Sequence, residues 1–100
     1  MPKLYEYFGL VLLFYSKEHL PIHVHVEYNE YVSVAELSFE DGKLVKIEWR
    51  KKRAKNPLPA PQLKKAEELL QAKAVEIAEK WHDYFVLNKA IKPEKITQKL

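Results

Sequence analysis

Hydrophobic and polar positions along this chain change period once, and the change divides it in two. From residue 4 to residue 15 the run is aliphatic and aromatic with Gly9 in its middle, which predicts a strand, or two short strands bent or bulged at that glycine. A polar connection over 16–21 follows. Ile22, Val24, Val26 and Tyr28 then alternate with His23, His25 and Glu27, the period-two signature of a half-buried strand whose successive side chains point to opposite faces. Asn29-Glu30 is placed for a tight hairpin into a strand over 31–39. Glu40-Asp41-Gly42-Lys43 is the strongest turn signal, because Asp-Gly readily takes the positive φ angles of a type I′ hairpin. A strand over 44–49 closes the meander, with Val45, Ile47 and Trp49 on one side and Lys46, Glu48 and Arg50 on the other.

After Pro61 the period lengthens. Leu63, Ala66, Leu70, Ala74, Ile77, Trp81, Tyr84 and Asn88 step by three and four, the core-facing stripe of a helix. Ala, Leu, Glu, Lys and Gln dominate, all strong helix formers, and Pro61 suits the first helical position, where its missing N–H costs nothing. Phase is kept across 62–88, so the pattern predicts one long helix of about 40 Å, with a break near Ala72 and Lys73 as the fallback. Asn88 and Pro93 end it. Between the halves, 50–61 is basic and then proline-rich, hence stiff and extended. The tail, 89–100, has one apolar alternation at Ile96 that could add a short edge strand. A helix cannot bury its stripe alone, and the meander's apolar face is its partner. The expectation is a single α+β domain over 1–100: an antiparallel meander of about four strands (1–49) packed on one long C-terminal helix.

Composition changes this picture little. Apolar residues at 47% and charged residues at 31% suit an ordinary globular protein and argue against overall disorder. With no cysteine, disulfides, thiolate metal sites and thiol catalysis are excluded, which fits a reducing cytoplasm. The run Leu10-Val11-Leu12-Leu13-Phe14-Tyr15 is too short to span a membrane and lacks the flanks of a signal peptide. Gly9 and Gly42 are the two glycines, so there is no glycine-rich phosphate loop, and no serine sits in a nucleophile elbow. Net charge is +3 with a pI near 9.0. The excess is local: Arg50, Lys51, Lys52, Arg53 and Lys55 lie together, a segment that either is a solvated linker or contacts phosphate or an acidic partner. The aromatics Tyr5, Tyr7, Phe8, Phe14 and Tyr15 could stack on bases, although a small sheet needs such residues for its core.

Candidate chemistry is concentrated in Glu18-His19-Leu20-Pro21-Ile22-His23-Val24-His25-Val26-Glu27, where three of the four histidines are spaced H-x-x-x-H-x-H around a proline. His23 and His25 share a strand face, roughly 6–7 Å apart, and Pro21 forces a loop or strand start that lets His19 fold back on them. Three readings follow. His19, His23 and His25 could ligate zinc or another divalent transition metal, with Glu18 or Glu27 orienting a ring. They could instead carry metal-free acid–base cleavage of RNA, for which the pKa of histidine is suited, with Lys17, Arg50 or Arg53 on the phosphate. Or they are structural or partner-binding residues, since short histidine motifs recur by chance. On the helix, Trp81 is a core anchor and His82 borders the core face, and whether His82 approaches the cluster depends on how the helix crosses the sheet.

The segment Phe14-Tyr15-Ser16-Lys17-Glu18-His19-Leu20-Pro21-Ile22-His23-Val24-His25-Val26 resembles the signature of a family of small bacterial proteins, the domain of unknown function 4160. Its members pass from a strand through a Tyr/Phe-rich segment into an acidic-His-x-Pro-x-His-x-His run, then a meander and a helix ending near a tryptophan, here Trp81. The resemblance covers most of the chain and is strongest over 4–49. Two departures are that Pro21-Ile22 keeps only the first of a usual Pro-Pro pair, and that 50–61 is longer and more basic. The resemblance implies a setting, the toxin-like half of a type II toxin–antitoxin-like pair with a small cognate partner, and no catalytic residues. Together these give a cytoplasmic protein acting on RNA through His19, His23 and His25, with Lys17, Arg50, Lys51, Lys52, Arg53 and Lys55 holding phosphate or partner. The competing class is a non-catalytic adaptor, docking protein or nucleic acid through a strand edge or the basic segment, or a histidine-ligated metal-binding protein.

Overall fold

The computed structural model describes residues 2–14 and 21–100. Strands β1 (Lys3–Tyr7), β2 (Leu10–Phe14), β3 (Ile22–Tyr28), β4 (Tyr31–Glu40) and β5 (Lys43–Lys51) are followed by helices α1 (Ala60–Ala72) and α2 (Ala74–Phe85) and a short strand β6 (Glu94–Ile96). The class is α+β. The six strands form one sheet in the order β5-β4-β3-β2-β1-β6, with β1 to β5 antiparallel neighbours and β6 parallel to β1.

The expected count of about four strands is therefore corrected to six. One extra strand comes from the 4–15 run, which turns back on itself at Phe8 and Gly9. Both residues have positive φ, 44° and 88°, as a two-residue hairpin with the twist of its strands requires. Gly9 is needed twice over, because a Cβ there would also lie 3.0 Å from the Tyr28 ring. The second extra strand, β6, is the short edge strand that the alternation at Ile96 allowed; it pairs with residues almost ninety positions earlier, a partner no local pattern reveals. The other two hairpins lie where the turn chemistry placed them, with Asn29 at φ 53° and with Asp41 and Gly42 at 52° and 77°. A one-residue register shift between Ser38 and Phe39 makes Val45 an extra residue of β5, the signature of a bulge.

One long helix is also corrected, to its fallback: the stripe is cut at Lys73, with φ −107° and ψ 13°. No glycine or proline causes this, since the local sequence is Ala-Lys-Ala. The reason is tertiary. A straight helix over 60–85 would be about 39 Å long, whereas the molecule's longest dimension is 33 Å. Bending at Lys73 keeps Leu69 and Leu70 of α1 and Ala74 and Ile77 of α2 all buried. Lys73 N–H still donates to Leu69 O at 2.9 Å and its carbonyl accepts from Ile77 N–H at 2.8 Å, so the turn is distorted rather than opened.

Alternation gives the sheet two unlike faces. Tyr5, Leu12, Val24, Val26, Ala35 and Leu37 face the helices and are all but completely buried. Each such Leu or Val side chain contributes roughly 1.5–3 kcal/mol relative to exposure. The Phe14 ring meets Phe85 of α2 at 5.8 Å between centroids, and Trp81 and Tyr84 pack on the same Phe85 at 5.4 and 4.9 Å. Two polar pins set the helices on the sheet: Trp49 Nε1–H donates to Glu67 at 2.7 Å, and Tyr5 O–H donates to Glu76 at 3.0 Å. Burial, and then the Glu76 carboxylate, push the Tyr5 phenol far above its ordinary pKa, so it remains a donor at any working pH.

The basic connection is shorter than 50–61, because β5 runs on through Arg50 and Lys51. Its remainder is pinned to β4: Val32 N–H donates to Asn56 O at 2.8 Å and Leu58 N–H to Ser33 Oγ at 3.1 Å, which seats Leu58 in the core. Among the described residues no helix is long and apolar enough to cross a membrane.

Candidate functional site

The site is built on the sheet face turned away from the helices. The tight hairpin joins β3 and β4 with Tyr28 opposite Tyr31, and counting back along both strands brings His23 opposite Glu36 and His25 opposite Val34. Glu36 lies opposite Glu48 on β5, and Val34 opposite Arg50. These side chains make one cross-strand network. His23 Nε2 lies 3.0 Å from Glu36 Oε2, Arg50 Nε–H donates to Glu36 Oε1 at 3.2 Å, and a second Arg50 nitrogen reaches Glu48 at 3.0 Å. Lys46 closes the row on Glu48 at 3.2 Å.

Electrostatics follow from these contacts. The Glu36 side chain is 18% exposed, and burial by itself would raise its carboxyl pKa. The Arg50 guanidinium and then the His23 ring outweigh that and hold it below the usual range. Glu36 is thus an ionised carboxylate at neutral pH, gripped from both sides on a surface that solvent reaches. His25 differs. It is only 3% exposed, between Leu13 of β2 and Val34 of β4. Its pKa is lowered by burial first and by Lys52 and Lys55 after it, with Glu27, 3.7 Å from Nε2, opposing them. His25 is a neutral ring at pH 7.

The structure therefore divides the residues singled out in the sequence. His23 and His25 do share a face, but His23 joins the carboxylate while His25 is buried beside it. Of the basic run, Arg50 joins the network through Glu36 and Glu48. Lys52 and Lys55 act on His25 through their charge. Strand alternation sends Lys51 toward the opposite face, and Arg53 is exposed in the turn after β5. His19, Lys17 and Glu18 lie outside the described residues. His82 is exposed on α2 beside the Gly42 turn, on the helix side of the sheet, and does not join the histidines. No group of three or more metal-binding side chains is arranged to hold an ion among the described residues; the three-histidine set needs His19.

Glu36 is the residue that reading the pattern missed. The signal was present, because a tight turn at Asn29-Glu30 fixes the register and so the partner of His23. Glu48 was less accessible, since the bulge at Val45 shifts the β4–β5 pairing by one. A carboxylate between an imidazole and a guanidinium can take a proton, while the guanidinium neutralises an adjacent phosphate.

A comparison with curated proteins finds no match, and neither does one with solved structures. A family model does match, spanning the last two sheet hairpins, the site and most of both helices. Residues 9–82 fit the family described as Domain of unknown function (DUF4160), and the chain belongs to that family.

Proposed function

We propose that this protein is the toxin-like component of a two-protein module and that it cleaves RNA by acid–base catalysis on the outer face of its sheet. The observation that carries the reading is Glu36, ionised and held between His23 and Arg50 on a surface a polymer strand can reach. In this mechanism Glu36 accepts the proton of a ribose 2′-hydroxyl as its oxygen attacks the neighbouring phosphorus. Arg50 neutralises the charge that builds on the phosphorane oxygens. The bond from phosphorus to the 5′-oxygen breaks, and that oxygen takes a proton from an acid, leaving a 2′,3′-cyclic phosphate and a 5′-hydroxyl. His23 orients the carboxylate, and His19 is the candidate acid. Neutral, buried His25 supports the strand beneath rather than exchanging protons. Lys52 and Lys55 add positive potential alongside, which favours a phosphate backbone. The compartment that suits this substrate is the cytoplasm, and the expected partner is a small antitoxin-like protein that covers the face.

The test is incubation of purified protein with single-stranded RNA and analysis of the product ends, alongside growth of cells expressing the same variants. Wild type should release cyclic-phosphate ends and slow growth. Glu36→Gln, Arg50→Ala and the pair His23→Ala/His25→Ala should do neither. Growth inhibition that survives Glu36→Gln in a folded protein would sink the mechanism.

A further inference from the structure

The sheet has two edges of opposite character. On one side β6 is three residues long, too short to template another chain. On the other, β5 is nine residues long and, among the described residues, pairs with β4 alone. Long exposed edges recruit further strands unless they are blunted. Lysines and the bulge at Val45 are blunting features against strangers. They do not blunt the middle of β5 against itself, because its central charges are arranged for self-pairing.

We infer that β5 is the interface of a two-fold homodimer in which β5 of one copy pairs antiparallel with β5 of the other, centred on Ile47. Facing residues of an antiparallel pair must lie on the same side of the sheet, so only registers centred on a residue keep the apolar face continuous. Centring on Lys46 sets that lysine against its own copy, centring on Glu48 sets two carboxylates together, and centring on Trp49 pairs Glu48 with Arg50 but sets Ile47 against Lys51 and Lys46 against Lys52. Centring on Ile47 places Lys46 opposite Glu48 and Glu48 opposite Lys46, two complementary pairs beside the two-fold axis, and leaves the like pair Lys43 and Lys51 to the exposed ends of the ladder. The same register puts Val45 opposite Trp49, an aromatic on a β-branched residue, which is a favourable cross-strand pair. Both charged side chains are available for exchange, with Lys46 62% and Glu48 42% exposed.

The flank of β5 supports the same occupant. A cavity of about 490 Å³ runs between β5 and the helices, lined in part by Leu44, Val45, Ile47, Ala74 and Val75. Val45 and Val75 stand more than half exposed there. A second copy brings its own Val45 and Trp49 to this seam and covers both valines. The contact is isologous, as most homodimers are. It joins two outer faces into one surface and sets the partner's Lys46 beside Glu48 and Arg50 of the site.

The experiment is light scattering coupled to size exclusion, with sedimentation equilibrium for the dissociation constant, on the full chain. Wild type should run at twice the 11.8 kDa chain mass. Lys46→Glu and Glu48→Lys each place like charges opposite one another twice, and each should weaken the dimer by about tenfold or more. The swap Lys46→Glu/Glu48→Lys restores both pairs and should restore the dimer. A monomeric wild type overturns the proposal, as does a dimer indifferent to the single changes or a swap that fails to recover it. Circular dichroism of each variant separates loss of pairing from loss of fold. This inference stands independently of the catalytic reading: a dimer without RNA cleavage, or the reverse, decides each separately.

Discussion

The two faces of this sheet use the same alternating strands for opposite purposes. Toward the helices, Leu12, Val24, Ala35 and Leu37 with Phe14 and Tyr5 form an apolar layer that two polar pins, Trp49–Glu67 and Tyr5–Glu76, tie to the helices. Away from the helices, the intervening residues combine buried Val32, Val34 and His25 with a charged row of His23, Glu36, Arg50, Glu48 and Lys46. One face carries folding energy through apolar area. The other carries fixed charge at a surface, where ion pairs contribute little stability but set a carboxylate in place. Stability and chemistry should accordingly respond to different substitutions.

The largest separation is expected from Ile77→Ala, which removes a fully buried side chain from the helix layer. Urea unfolding should show a loss of about 2–5 kcal/mol, with whatever activity survives unchanged per folded molecule. On the opposite face, Glu36→Gln should lower RNA cleavage by about 100-fold or more while the urea midpoint moves little. A fall in stability as large as that of Ile77→Ala would erase the distinction between the faces.

His25 sharpens the comparison because it is a buried group on the charged side. Its folded pKa lies below the ordinary 6.5, so the unfolded chain binds the extra proton first as pH falls. Stability from keeping His25 neutral is fully present above pH 6.5 and is lost on acidification toward the folded pKa. The slope is at most about 1.4 kcal/mol per pH unit. Urea midpoints measured from pH 7.5 down to 5.5 should flatten in His25→Gln, and an unaltered slope would place the titration elsewhere. The smallest effect belongs to Trp49→Phe, which keeps an aromatic ring, though a smaller one, and removes the 2.7 Å bond to Glu67. A thermal melt should register about 1 kcal/mol.

The hairpins were legible because their chemistry is local. Asp41-Gly42 and Asn29 take positive φ without help from the rest of the fold, and the register of β3 on β4 follows from the turn alone. Gly9 was visible as a break that left one strand or two short ones open, and the structure has two; its neighbour Phe8 is a poor candidate for φ 44°, and the paired strands hold it there. For the site, His23, His25 and Arg50 were legible as residue types, and the division of labour among them was not. Burial separates the two histidines, and burial is a property of neighbours on β2 and β4.

The sequence by itself determined the α+β class, the strand alternation that puts both histidines on one face, and the helical stripe from Leu63 to Tyr84, because periodicity and turn chemistry act over a few residues. Tertiary structure decided the cut at Lys73, since a straight helix outruns the sheet it must cover. It decided the parallel docking of β6 on β1, a contact between distant segments. It also decided which charges meet: the bulge at Val45 shifts β5 by one residue against β4, and with it Glu48 and Arg50 come to stand beside Glu36.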